Sequence, residues 1–423
     1  MSQLKVLVVG ASIAGPTAAY WLAKAGADVT VIERFPQLRT NGQNIDIRTA
    51  AVTIMRKMVG MEAAVQAKTT RLESISFVRS NGRPYGTIKA TGNPDQQSLV
   101  SEYEIFRGDL AQILFDLTKE NKNIKYVFGE QVTSMQQLPN EKDDGPITVE
   151  FANGFPTSDY DLVVACDGAT SRTRALALGC GVRDHMRSTN CWAAFFSIEQ
   201  DLLGGSKLGQ AYSAAGGRFI AIGPDPSGVN RVVLMAIHPC DDRDATEPFR
   251  EAMKQGDDML KQFVAQHYKD AGWKTYGAMK GMIEAEDFYA NEIVQVKTPS
   301  LYKGRFVLVG DAGYALSFTG TGTTLAITGA YVLAGEVGKH KGNLAAGLRG
   351  YEEQMRPIID DMQKVPLLIP TIFAPQTAWG IWLRNNIFAF IAWTRILELV
   401  QRYFAGAFAD TDRYGLSDYE WVG

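Results

Sequence analysis

The sequence predicts an α/β fold: a parallel sheet with helices, assembled from discontinuous segments, joined to an antiparallel-sheet domain and followed by a C-terminal helical segment. Three observations predict it. The apolar run Lys5 to Val9 leads through a glycine turn into a helical stretch, then into a second apolar run, Asp28 to Ile32, that ends at Glu33. Two later segments, CDGATSRTR (Cys166 to Arg174) and VLVGDAG (Val307 to Gly313), repeat the order of apolar strand followed by acid and glycine. From Cys191 to Ile237 short apolar runs are separated by Gly, Pro and Asp, the texture of antiparallel strands.

In chain order, Ala14 to Ala25 reads as the helix of a βαβ opening, which needs a parallel sheet behind it. Ala50 to Met58 is helical in pattern. Leu72 to Val78 and Tyr85 to Lys89 form a hairpin about Asn81-Gly82. Gly108 to Thr118 is a helix. Strands Ile124 to Phe128, Ile147 to Phe151 and Leu162 to Ala165 return to the first domain, with a turn at Asn153-Gly154. Trp192 to Ser197, Arg218 to Ile222 and Arg231 to Ile237 build the antiparallel sheet, and Thr246 to Ala271 is a polar helical stretch. Strand Arg305 to Val309 rejoins the first domain, with helices from about Thr323 to Gly338 and Leu344 to Met355. The resulting division is 1–71, 101–178 and 298–360 for the nucleotide domain, 72–100 and 179–297 for the substrate domain, and 361–423 for the C-terminal helical segment.

The chain has 423 residues, 46% of them hydrophobic, which suits two joined domains. A net charge of −3, without a basic block, argues against nucleic acid as a partner. Cys166, Cys180, Cys191 and Cys240 form no CxxC pair and read as buried thiols of a reducing, cytoplasmic compartment. The N-terminal apolar run is too short for a secretory signal. The apolar stretch Val365 to Val400 is interrupted by Arg384, Asn385, Asn386, Arg395 and Glu398, so it falls short of the ~18 uncharged residues of a membrane span. It reads as a long helix packed on the body of the protein, with peripheral membrane contact as the alternative.

The segment Gly10-Ala11-Ser12-Ile13-Ala14-Gly15 stands between strand and helix, where a dinucleotide fingerprint belongs. Gly10 permits a tight turn, Gly15 lets helix and strand approach, and the helix start offers N–H groups and a positive dipole end to a pyrophosphate. Ser12 replaces the usual middle glycine with a small side chain. Glu33, at the end of the second strand, suits ribose hydroxyls and disfavours a 2′-phosphate, as for FAD or NAD. Arg34 beside it either flanks the adenine or is solvated. Asp167 ends an apolar strand, where ligands bind parallel sheets, and equally suits a cap for the helix starting near Arg172.

Together, Gly10 to Glu33, Asp167-Gly168 and Gly310-Asp311 resemble the single-component (class A) flavin monooxygenases of the para-hydroxybenzoate-hydroxylase fold. The closest likeness is to the branch of tetracycline-inactivating and fungal secondary-metabolite monooxygenases. GQNIDIR (Gly42 to Arg48), FRGDLAQIL (Phe106 to Leu114), GTGTTLAITGAYVLAGE (Gly320 to Glu336) and YEEQMRP (Tyr351 to Pro357) fit that branch. The likeness covers roughly residues 4 to 360 and makes the first domain a Rossmann-like FAD-binding domain.

The resemblance implies roles at matching positions. Asp46 contacts the flavin, Arg107 binds the FAD phosphate or ribityl region, and Asp311 binds the ribityl chain. Asp167 reaches toward FAD and NAD(P)H, and Arg39 meets the nicotinamide cofactor. Gly320, Gly322, Thr323 and Thr324 open a helix whose N–H groups face the flavin pyrimidine edge. This sequence departs from the pattern at Ser317-Phe318, where proline is usual, in a loop one residue short, and at Tyr314, where histidine is common.

The activity so implied is insertion of one oxygen atom from O2 into an aromatic or polycyclic small molecule through a C4a-hydroperoxyflavin, with NADPH or NADH as transient reductant. Hydroxylation, epoxidation and Baeyer–Villiger insertion share the scaffold. The alternatives are a flavin dehydrogenase or oxidase and a non-enzymatic binding module on the same fold. No metal motif is present. Pocket candidates are Arg218 and His238 on substrate-domain strands and Phe318 on the flavin loop. The plainer reading of His238, and the favoured one, is a satisfied sheet histidine.

Overall fold

Strand Lys5–Val9 is apolar on both faces, and Val6, Leu7 and Val8 are fully buried, as a central parallel strand requires. It pairs in parallel with Leu162–Ala165 on one side and Asp28–Glu33 on the other. The six-stranded sheet runs Tyr302–Lys303, Phe306–Leu308, Leu162–Ala165, Lys5–Val9, Asp28–Glu33, Ile124–Phe128. Its register sets Val9 against Ala165 and Ile32, and Ala165 against Leu308. The four central strands therefore end level, and Gly10, Glu33, Asp167 and Asp311 leave from one edge. The computed structural model describes residues 3–39, 42–70, 72–93, 100–137, 145–225, 227–239, 244–316, 320–364, 372, 374–394 and 415–422.

Helix Ala14–Lys24 packs on helix Gly322–Lys339, which is buried on nearly every side from Thr323 to Val337. That explains why the second helix has no polar face. Its small residues admit neighbouring rings: a Cβ at Gly329 would overlap the Tyr314 hydroxyl, and one at Gly335 would overlap the Tyr419 ring. Residues 415–422 pack back onto this pair of helices. Trp421 lies 4.6 Å from Trp21 and 5.6 Å from Tyr331, and the Val422 N–H donates to Lys24 O.

The second sheet has seven strands, in the order Tyr289–Val296, Met186–Ile198, Asn230–Ile237, Arg218–Pro224, Gly209–Ala214, Ser74–Val78, Pro84–Lys89. Alternation sorts its side chains. Trp192, Ala194, Phe196, Leu234 and Ala236 face helices Glu247–Lys254, Asp257–Tyr268 and Thr275–Glu284 and form a core with Phe249, Val264 and Met282. Ala193, Phe195 and Met235 face the first domain.

Several expectations are corrected. The stretch Thr246 to Ala271 is two helices, because Gly256 at φ +102° breaks it. Ile147–Phe151 does return to the first domain, packing with Leu7, Val9 and Ile32, but does so in a separate antiparallel sheet with Val132–Gln137 and Ser158–Tyr160. The C-terminal segment is only partly helical: helix Ala378–Trp393 is followed, within the described residues, by the non-helical 415–422. Helix Ala378–Trp393 seats Phe388 against Phe77, Tyr85 and Gly86 and leaves Trp379, Trp382, Ile387 and Phe390 exposed. Much of Val365 to Val400 lies outside the described residues. Among those described, no helix is long and apolar enough to cross a membrane. Cys166 and Cys191 are buried, Cys180 is only half-buried, and Cys240 lies outside.

His267 lies under the second sheet beside Trp192 at 5.1 Å and His238 at 5.8 Å. Burial, with help from His238 and Arg218, pushes its pKa down to about 4 from 6.5. Below pH 6.5 the unfolded chain takes up a proton that the folded one refuses. Stability present above pH 6.5 is therefore lost progressively down to about pH 4, by up to roughly 3 kcal/mol. Urea midpoints at about pH 7 and about pH 5 check this, and His267→Phe is expected to flatten the difference between them.

Candidate cofactor and substrate cleft

The level strand ends place three glycine-and-acid turns around one cleft. Gly10 adopts φ +108°, and a Cβ there would come within 2.6 Å of the Cys166 carbonyl oxygen, so the ends of strands Lys5–Val9 and Leu162–Ala165 can close only on glycine. Gly15 stands behind this turn, in contact with it. Glu33 accepts the Ala11 N–H at 2.9 Å and the Phe35 N–H at 3.1 Å, which pins the turn and leaves acceptor capacity toward the cleft.

The main cavity holds about 380 Å³ between the two sheets. Ser12, Ala14, Asp46, Arg107, Asp311, Gly320, Gly322 and Thr323 all line it. A smaller cavity of about 100 Å³ adjoins it at the edge of the parallel sheet and is lined by Gly10, Glu33, Arg34, Arg39 and Asp167. Ser12, Arg107, Cys166 and Gly168 line both, so the two form one elongated trough with Arg107 at its middle. A long ligand with negative charge near its centre matches that shape.

Asp311 opens into the main cavity from the start of the short helix Asp311–Tyr314. The cleft walls around it push its pKa up, although its side chain faces the cavity, while Arg107 opposes that shift. Asp46 is likewise raised, by burial first, with Arg48 opposing. Arg48 donates to Asp46 Oδ2 from Nη2 at 3.0 Å and Nε at 3.2 Å. Arg39 has its pKa lowered by burial and then by Arg107. Arg34 and Arg39 stack against the Phe35 ring at 4.8 and 5.0 Å.

The opposite wall comes from the second sheet: Ala193, Phe195, Met235, Tyr289 and Ile293. It is mostly apolar; its polar members are the Tyr289 hydroxyl, Asn291 and Glu292, the last paired with Arg183 and Arg250. Sequence reading missed Phe195, Met235, Tyr289, Asn291, Gln43, Asn44 and Leu316. The strand Tyr289–Val296 was itself not anticipated, although its apolar-polar alternation carries the signal.

Other expected site residues take different places. Gly15 and Thr324 do not line the trough. Thr324 Oγ1 lies within 3.3 Å of the Arg48 backbone and ties the helix start to the Asp46 segment. Asp167 caps the following helix by accepting from Thr173 N at 3.1 Å and Thr173 Oγ1 at 2.9 Å, beside the smaller cavity. Arg218 is not a pocket residue: its strand position turns it toward the helices, where it donates to Ala215 O and His267 O and pairs with Asp270. His238 does not line the cleft either and packs edge-on against His267. Phe318 lies outside the described residues. Tyr314 is buried, 3.1 Å from the Tyr351 hydroxyl, and does not reach the cleft.

The donor set fits FAD on its own evidence. The turn at Gly10 leaves no room for a side chain, Arg107 stands at the trough's middle, and the start of helix Gly322–Lys339 meets the cavity at Gly322 and Thr323. Side chains at Gly320 and Gly322 would extend into contact distance of the Asp46 and Asp311 carboxylates, 3.7 Å from their oxygens.

A family model described as an FAD binding domain matches residues 3–364. The chain is 32% identical to the FAD-dependent monooxygenase asL4 of Sarocladium schorii, over 94% of each chain. It is 34% identical to the monooxygenase CTB7 of Cercospora beticola, again over 94% of each. Among solved structures it resembles the tetracycline destructase Tet(55), with a TM-score of 0.73 and 30% identity over 92% of this chain and 97% of that one. These matches run through the segments that line the trough, and on them the chain belongs to the FAD-binding-domain family, as an FAD-dependent monooxygenase.

Proposed function

We propose that the enzyme uses NADPH or NADH and O2 to insert one oxygen atom into an aromatic or polycyclic small molecule. The carrying observation is the pair of opposed walls: polar and cationic at Arg107, Asp46 and Asp311, apolar and aromatic at Phe195, Met235, Tyr289 and Ile293. A flat apolar substrate suits the second wall, since ligand sites are mostly apolar with few polar anchors. Two solved relatives are named tetracycline destructases, after a polycyclic molecule. Bound FAD would supply the redox and oxygen-activating chemistry.

The chain's own residues do the rest. Arg107 holds the pyrophosphate or the ribityl end, with a fork suited to anionic oxygens. Asp311 accepts from the sugar-alcohol chain, and Glu33 from the ribose, with Arg34 beside the adenosine. Gly10, Ser12 and Ala14 let the backbone approach the phosphates. Gly320, Gly322 and Thr323 present the positive end of a helix to the ring edge where negative charge develops. Arg39 receives the nicotinamide donor at the trough's mouth. The apolar wall excludes water from the reacting face.

The purified holoenzyme is expected to be yellow and to couple NAD(P)H oxidation to oxygen uptake. With substrate, the product gains one oxygen atom. A product that has instead lost two hydrogens would establish a dehydrogenase or oxidase, and a protein that takes up no FAD would refute the reading.

A further inference from the structure

The cofactor wall carries more carboxylate than its neighbouring guanidinium can neutralise. Asp46 and Glu104 are direct partners in the antiparallel ribbon Asn44–Asp46/Glu104–Phe106. Directly opposed residues project to the same face with Cβ atoms about 5 Å apart. Arg48 donates to Asp46 through one oxygen, Oδ2, and opposes the charge of Glu104 only from a distance. Glu104 receives neutral donors alone: Asn44 Nδ2 to Oε1 at 2.7 Å and Thr70 Oγ1 to Oε2 at 3.2 Å. Glu102 adds a third carboxylate. Its Oε1 accepts from Thr91 Oγ1 and Gly92 N, and its buried Oε2 has no hydrogen-bond partner among the described residues.

Among the described residues, the elements packed around the ribbon bring little compensation. Helix Gly322–Lys339 has no charged residue before Glu336. Lys68, two residues before Thr70, is engaged by Asp109 at 2.5 Å. Tyr103, between the two glutamates, turns to Glu62 and Arg56. Arg107 follows the ribbon and turns into the trough. Three carboxylates around one guanidinium, in a place short of water, relieve their repulsion by keeping a proton. In keeping with that geometry, burial and then Asp46 push Glu104 up to about 7.

We propose that Asp46 and Glu104 share one proton at neutral pH, that Glu104 is the positioning residue that keeps it, and that its release makes bound flavin harder to reduce. The proposal rests on FAD occupying the trough, because Asp46 is the member of the pair that lines it. Release of the proton leaves a full extra negative charge behind that wall. A unit charge at roughly 10 Å, at an effective dielectric near 20, changes an equilibrium on the order of tenfold.

The test measures the midpoint potential of FAD in the holoenzyme against pH, in wild type and in Glu104→Gln. Wild type is expected to show an added break in slope near neutrality. Glutamine has the same shape and no proton to lose, so the variant is expected to lack the break and to keep the potential of the acid limb. The rate of flavin reduction by NAD(P)H is expected to fall about tenfold across that break in wild type and less than about twofold in the variant, with KM for the nicotinamide unchanged. A break that persists in Glu104→Gln, or that wild type lacks, overturns the proposal. Infrared spectra in D2O give an independent reading with or without flavin. A protonated-carboxyl band should vanish through neutrality in wild type, move to lower pH in Asp46→Asn and be missing in Glu104→Gln. Wild type without such a band overturns proton sharing, whereas failure to bind FAD with the band intact would refute only the cofactor reading.

Discussion

Gly15→Ala is expected to abolish the holoenzyme. A Cβ at Gly15 would overlap the carbonyl oxygen of Gly10, a backbone atom that cannot turn aside. Gly10 itself is held by its N–H to Ile32 O at 2.8 Å and by close approach to the Cys166 carbonyl. Relief therefore requires moving helix Ala14–Lys24 off the sheet, and that helix carries the fully buried Ala18, Ala19 and Leu22 and the nearly buried Trp21. Overpacking against rigid backbone at the centre of a core costs on the order of 3–5 kcal/mol. The measurement is soluble yield, thermal unfolding and flavin content of the variant beside wild type. A variant with wild-type melting and full flavin loading would show that the turn is not the close-packed junction described above.

Arg107→Ala is expected to weaken FAD binding by about a hundredfold, near 3 kcal/mol, with little change in folding stability. Arg107 is the one charged residue that lines both cavities. Its stem is set by Gly42, where a Cβ would come within 3.0 Å of Arg107 Cβ, and its N–H donates to Gln43 O at 3.0 Å. The guanidinium is thus aimed before any ligand arrives, and preorganisation reduces the ordering cost of binding. Arg107→Lys is expected to recover only part of the affinity, since a point charge replaces a planar fork. Titration of flavin-free protein with FAD, followed by flavin fluorescence quenching, reads both numbers. Equal affinity in wild type and Arg107→Ala would remove Arg107 from the cofactor site.

The trough was legible in the sequence to an unusual depth because its parts are local. Gly10, Ser12, Glu33, Asp167 and Asp311 each sit within a few residues of a strand end, and a strand followed by glycine and acid is visible without knowing the partner strands. Gly320, Gly322 and Thr323 were readable for the same reason, at the start of an apolar helix. The apolar wall of the cleft was not legible in this way. Alternation in Met186–Ile198 shows that Trp192 and Ala193 face opposite sides, and it does not say which side the three helices cover. They cover the Trp192 side. That choice leaves Ala193, Phe195 and Met235 to the cleft and directs Arg218 to Asp270 and the His267 carbonyl, away from the cleft.

What the sequence by itself determined is the class of cofactor and the backbone turns that frame the cleft, because glycine turns, helix starts and terminal acids act through short-range geometry. Only the tertiary structure decided which side chains stand opposite, and which charges are left unbalanced. Asp46 and Glu104 lie 58 positions apart and become neighbours through strand pairing alone, as the register that opposes them shows. Burial then raises the energy of their charges together. Spacing along the chain carries no record of that, since desolvation and cross-strand repulsion exist only once the sheet has closed over them.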